Sequence, residues 1–322
     1  MTGEGMDVPL TDDGASVADD AGALDAARRQ DDLVLLTTPA IRARRHPRAI
    51  AGMWAWEAVL ALLVGWPAAG LAHAAWSGDA HGDAPLWAPG GHALADWLWR
   101  DQHALASLSH EVVLVLIVGA AAGLVPMAAL LVALAYATRD RLPPGFARCM
   151  AAGFRAFRPM IVLLALATLL QALTLGVGAL VAGGVEHGTH GWLGEARAQQ
   201  LEALVFLVFL VAASLLGVAH DLGRAAVVRF KVGGIRGFAL GARTLRLYPV
   251  STWWSWAWRA LASLAPILAV AAVAGRIGGE GGVALVFLFV MHQAVVAARV
   301  ALRASWLARA LRAVDAALRR AL

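Results

Sequence analysis

Hydrophobic positions along this chain fall into six long runs, at roughly residues 49-75, 111-137, 160-184, 202-223, 250-274 and 283-305. Neither the one-sided period of a soluble helix nor the alternation of a strand is present; each run is apolar on all faces over most of its length. An α-helix rises 1.5 Å per residue, so about 20 apolar residues cross a hydrocarbon core of ~30 Å. All six runs meet that length, and water-soluble amphipathic helices are a poor alternative. The pattern predicts an all-α integral membrane protein with a six-helix transmembrane domain over residues 33-322. Residues 1-32 differ sharply: nine acids stand against Arg28 and Arg29 with no apolar periodicity, which predicts a disordered acidic tail. That charge is opposite to the n-region of a secretory signal, and the first apolar run begins only near Ile50. A cleaved signal peptide is therefore not expected.

The polar connections give the runs a direction. Residues 1-50, 136-158, 220-250 and 299-322 hold 6, 5, 6 and 6 basic residues, 23 of the 27, whereas the intervening loops hold Arg100, Arg197 and Arg276. The positive-inside rule then places both termini in the cytoplasm of a bacterial inner membrane, with the 76-109 and 185-200 loops on the opposite side. Seven of the ten histidines and Trp76, Trp87, Trp97, Trp99 and Trp192 fall on that outer side.

Three Arg-rich segments end in His46-Pro47, Arg158-Pro159 and Tyr248-Pro249, each followed by an apolar run. A proline suits the first turn of a helix, where its missing N–H has no partner to lose. The chain thus reads as three hairpin repeats. Arg148, Arg155 and Arg158 share their spacing with Arg236, Arg243 and Arg246. On a helix each triplet occupies one face, and Phe146, Met150, Phe154 and Phe157 line another. The expectation is a pair of cytoplasmic interfacial amphipathic helices, apolar face in the lipid, Arg face toward anionic headgroups or a protein partner. Charges that only set topology explain the same residues.

Composition agrees with the membrane reading: 60% hydrophobic, 15% charged and mean hydropathy +0.67, against ~45-50% apolar residues in ordinary soluble domains. Of the basic residues only Lys231 is lysine. Topology accounts for the Arg residues beside apolar runs, so no nucleic-acid partner is implied by the high pI. Cys149 is the only cysteine, which leaves no intrachain disulfide and no cysteine-based metal cluster; it reads as a small buried hydrophobe.

One segment recurs: Trp54-Ala55-Trp56-Glu57-Ala58 returns as Trp256-Ala257-Trp258-Arg259-Ala260, with Pro47 and Pro249 ten residues before the charges. Ionised groups inside a span cost ~2.5-3.5 kcal/mol on insertion scales and so pair or line a wet cavity. Glu57 and Arg259 would both lie about 15 Å past their prolines, a depth at which they can meet. The expectation is an intramembrane ion pair locking the first and third hairpins. Alternatively, Glu57 is a proton or cation site gated by Arg259, with Gln171 and His292 the other polar residues inside spans.

Other constellations are weaker. His292-Gln293 fits a hydrogen bond to a neighbouring helix. Asp221 and Arg224, three residues apart, fit local helix termination at the end of span four. Glu186, His187 and His190, with His73, His81, His92, His103 and His110 across the outer side, form a candidate metal site of the zinc, copper or nickel type. A Gly-containing HxxH in a loop lacks the geometry of a helical HExxH, however, and no metal or other cofactor is expected. Gly233-Gly234-Ile235-Arg236-Gly237 lacks both the preceding strand and the Gly-Lys-Ser/Thr of a phosphate loop, and reads as a turn between helices. Ser107, Ser109, His110 and Glu111 read as a polar helix start, not a catalytic group.

Asp221-Leu222-Gly223-Arg224, the Arg-bearing stretch after it and Tyr248-Pro249 opening the next run resemble multi-pass bacterial membrane domains of the kind attached to glycerophosphodiester phosphodiesterases. The resemblance covers the six-helix layout and this short motif. It implies a membrane domain without the phosphodiesterase catalytic domain, and carries over no active-site residue.

These features favour a non-enzymatic accessory or scaffold subunit whose Arg-rich cytoplasmic face binds anionic lipid or a partner, the acidic tail being free to reach a basic one. A small-molecule or ion permease is the alternative, since transporters contain internal repeats and midplane charges. Single proline breaks at Pro67 and Pro126 do not match between halves; a polar cavity reaching Glu57 would favour the permease. A membrane enzyme with a metal site at the outer histidines is the third class.

Overall fold

The computed structural model describes residues 43, 46-76, 96, 99-100, 102-135, 145-277 and 282-320. They form seven α-helices with no strand among the described residues: α1 (Pro47–Trp76), α2 (Gln102–Ala135), α3 (Phe146–Leu193), α4 (Glu195–Phe230), α5 (Gly234–Leu247), α6 (Pro249–Ile277) and α7 (Gly282–Arg319). Six of these, all but the short α5, are long and apolar enough to cross a bilayer. By these six helices the chain is a multi-pass membrane protein. Residues 1-32, the proposed acidic tail, and most of the 76-109 loop with His81 and His92 lie outside the described residues.

Helix ends depart from expectation in several places, among them α2, which begins at Gln102, so that Ser107, Ser109, His110 and Glu111 lie within the helix and not at its start. Pro47 and Pro249 open α1 and α6, but Pro159 stands inside the 48-residue α3. The segment bearing Arg148, Arg155 and Arg158 is therefore continuous with the span that follows it, whereas its counterpart is the separate helix α5. The 185-200 region is not a loop: α3 and α4 meet at Gly194 alone, whose φ of 77° and ψ of 159° suit glycine and no other residue. Asp221 and Arg224 terminate nothing, because α4 runs on to Phe230 and stops where Lys231 enters the left-handed region at φ 52°. Val232 and Gly233 then lead into α5; of the expected turn Gly233-Gly234-Ile235-Arg236-Gly237 only Gly233 lies outside a helix, the other four being the first residues of α5. Pro67 and Pro126 likewise lie inside continuous helices.

The packed core is concentrated at the end of the bundle that carries α5. Leu130, Leu131 and Leu134 of α2, Met160 and Leu163 of α3, Val218 and Leu222 of α4, and Leu307 and Leu311 of α7 are buried together. Toward the other end large apolar side chains turn outward, as at Trp66, Leu180 and Phe289. A bilayer satisfies such a surface and water does not. α7 packs against α1, α4 and α6.

Two local devices hold the α5 end. Gly234, Gly237 and Gly241 of α5 are buried, and a Cβ on them would run into Pro159 of α3, Val227 of α4, and Ala219 and Gly223 of α4 respectively. Absent side chains let the backbones approach closely, as small residues do between membrane helices. This face of α5 is covered by protein, and Arg236, Arg243 and Arg246 remain on its exposed side. The second device is a buried ion pair from α4 to α7: Arg229 Nε donates to Asp315 Oδ1 at 2.9 Å, with side chains 5% and 7% exposed.

Candidate functional site

Four helices converge on a polar cavity of about 220 Å³ near the α5 end. α1 supplies Glu57, α4 supplies Asp221, α6 supplies Trp256, Arg259 and Ser263, and α7 supplies Arg299, Arg303 and Trp306. Each helix contributes because its polar residues interrupt an otherwise apolar pattern; on α7, Arg299 and Arg303 are four residues apart and share a face.

Asp221 is the best-satisfied member. Its Oδ1 accepts from Arg224 Nη1 at 3.1 Å and its Oδ2 from Trp306 Nε1 at 2.9 Å, so α4 and α7 are tied at the cavity wall. Arg259 is also held: Nη1 donates to the Ser255 carbonyl and hydroxyl, both at 2.6 Å, and Nε donates to Ser305 Oγ at 3.3 Å. Its guanidinium carbon lies 4.5 Å from the Trp258 ring centroid, a cation–π contact. Glu57, half-buried, has no hydrogen bond or ion pair with a described residue; the charges that act on its carboxylate are those of Arg303 and Arg299.

Glu57 and Arg259 thus share a cavity without touching as an ion pair. Ser255 of α6 and Ser305 of α7 take the Arg259 donors, while the charges beside Glu57 are those of Arg299 and Arg303 on α7. A double-mutant cycle on the detergent-extracted protein should accordingly show the losses of Glu57→Gln and Arg259→Gln adding to within ~0.5 kcal/mol. A coupling above ~1 kcal/mol would restore the direct pair.

No protein-family model, curated protein or solved structure matches this chain. Its function has to be argued from its own geometry.

Arg148, Arg155 and Arg158 on α3 and Arg236, Arg243 and Arg246 on α5 are all exposed at the α5 end, and none forms an ion pair with a described residue. Glu186, His187 and His190 lie on the last turns of helical α3, not in a loop. Among the described residues no three metal-ligating side chains are grouped. His292 is exposed and makes no hydrogen bond with a described residue, whereas Gln171 Nε2 donates to the Ala213 carbonyl at 3.1 Å and joins α3 to α4. A larger cavity of about 1080 Å³ lies between α1, α2 and the start of α3. Its lining is mostly apolar, from Met53, Val125, Leu130, Phe146, Cys149 and Phe157 among others. The smaller cavity, not this one, brings charged groups together.

Arg299, Arg303 and Trp306 are the members that sequence reasoning missed. The first two were legible, since both fall within the last apolar run, but they read equally well as topology-setting charges. Trp306 carried no signal, because only the folded contact with Asp221 distinguishes it from the other tryptophans.

Proposed function

We propose that the chain is a non-enzymatic inner-membrane scaffold or accessory protein whose α5 end is cytoplasmic and engages anionic lipid or an acidic protein surface. One observation carries this reading: six exposed arginines from two helices lie at one end of the bundle with no carboxylate partner among the described residues. A guanidinium row of this kind is satisfied by phosphate or carboxylate groups from outside the chain. The excess of basic residues at this end supports its cytoplasmic placement.

The test compares wild type with a variant carrying Arg148→Gln, Arg155→Gln, Arg236→Gln and Arg243→Gln, both extracted from the native membrane in mild detergent. Wild type should retain anionic lipid or an acidic protein at low salt and release it at high salt, where charge interactions are screened over about 3 Å at 1 M. The variant should retain less at low salt, and the two should converge at high salt. Equal retention by the two proteins would remove the Arg face from the function.

The permease is the second reading, favoured by the polar cavity that Glu57 lines. It predicts solute flux in proteoliposomes that Glu57→Gln abolishes.

A further inference from the structure

We infer that the polar cavity between α1, α4, α6 and α7 is a binding site for a phosphate-bearing group, held by Arg299 and Arg303 and supplied at the level of the cytoplasmic headgroups. The inference rests on the membrane placement proposed above and not on the exposed Arg face.

Charge is the first ground. Three guanidinium groups, Arg259, Arg299 and Arg303, and two carboxylates, Glu57 and Asp221, line the cavity. Asp221 is already engaged by Arg224 and Trp306, and the charges that act on Glu57 are those of Arg303 and Arg299, so two guanidinium groups face one remaining carboxylate. The second ground is unspent hydrogen-bonding capacity. Arg224, Arg229 and Arg259 donate to partners, but Arg299 and Arg303 have no hydrogen bond or ion pair with a described residue. Each offers five N–H donors in a planar fork suited to phosphate oxygens. At i,i+4 on one face of α7 the two like charges repel, and an anion between them converts that repulsion into two attractions.

Size and depth narrow the ligand. About 220 Å³ falls below the ~300-1,000 Å³ of pockets that enclose drug-sized molecules, yet exceeds by several times the ~30 Å³ share of one water. The cavity suits a headgroup-sized polar moiety. At 1.5 Å per residue Glu57 lies about 28 Å from the Trp76 end of α1, and Arg259 about 27 Å from the Ile277 end of α6. Arg299 and Arg303 lie about 26 and 32 Å from the Gly282 end of α7. All four distances are close to the ~30 Å thickness of the hydrocarbon core, which puts the cavity at the headgroup boundary and not at the midplane. Trp258, exposed on α6 beside the cavity residue Arg259, is the residue type that settles at that boundary. The phosphate can come from a phospholipid or from a soluble phosphate compound at the same surface.

The experiment uses the full chain, delipidated in detergent, and native mass spectrometry with three probes: dioleoyl phosphatidylglycerol, dioleoylglycerol and inorganic phosphate. Phosphatidylglycerol should be retained as one bound lipid, and dioleoylglycerol, which has the same chains without phosphate, should not. Arg299→Gln with Arg303→Gln should weaken retention at least about tenfold, as expected when charge-assisted contacts are removed. Arg236→Gln with Arg243→Gln should leave it unchanged, separating this site from the Arg face. Both arginines lack described partners, so the variants should fold, which an unchanged melting temperature would confirm; Arg299→Gln alone gives a milder second test. Displacement of the lipid by millimolar inorganic phosphate, or phosphate binding without lipid retention, would support the site with a soluble source. Equal retention of dioleoylglycerol, or full phosphatidylglycerol and phosphate binding by a folded double variant, would overturn the assignment.

Discussion

Asp315→Asn is expected to destabilise the detergent-extracted protein by about 3-5 kcal/mol, the cost of orphaning one member of a buried ion pair. Arg229 and Asp315 meet at 2.9 Å with side chains almost fully buried, and Asp315 has further interactions. Removing its charge strands the Arg229 guanidinium at the junction of α4 and α7. The double change Arg229→Met with Asp315→Leu should recover most of the loss, because no orphan charge remains. Equilibrium unfolding of the two singles and the double measures the effect. A single-variant loss below ~1 kcal/mol would mean that the α4–α7 junction does not depend on this pair.

Gly241→Val should be the second large effect. The added Cβ would run into the Ala219 carbonyl and the Gly223 nitrogen, and backbone atoms cannot rotate away as a flexible side chain can. Overpacking of well-packed interiors costs about 1-3 kcal/mol, and here it should also push α5 off α4 and lower the melting temperature. Gly233→Ala is the control: nothing lies within 4 Å of a Cβ there, and its backbone is extended at φ −65° and ψ 162°. Equal melting temperatures for the two variants would show that α5 is not seated on its glycines.

The six spans and the turn at Gly233 were legible because hydropathy over 20 residues and glycine at a helix end are local signals. The continuity of α3 through Pro159 was not, because whether a proline opens a helix or sits within one depends on packing; here Pro159 lies against Gly234 of α5. The hairpin tip at Gly194 was hidden for a related reason: polar residues on both sides imitate a loop, although the helices continue beyond any bilayer crossing. For the cavity, the repeat of Trp54 to Ala58 in Trp256 to Ala260 led to Glu57 and Arg259, since a shared position implies a shared depth. It could not say that Ser255 and Ser305 hold Arg259, nor that α7 brings two further arginines into the same cavity. Those facts are tertiary and leave no periodicity to read.

The most direct test is the side of the membrane on which the α5 end lies, because the Arg face and the phosphate site both require it to be cytoplasmic. With the sole cysteine removed as Cys149→Ala, Ala239→Cys on α5 and Gln199→Cys near the start of α4 each provide one exposed thiol. A membrane-impermeant maleimide added to intact cells with a permeable outer membrane should label Gln199→Cys at once and Ala239→Cys only after the inner membrane is opened. Labelling of Ala239→Cys in intact cells, or of both positions from the same side, would contradict it.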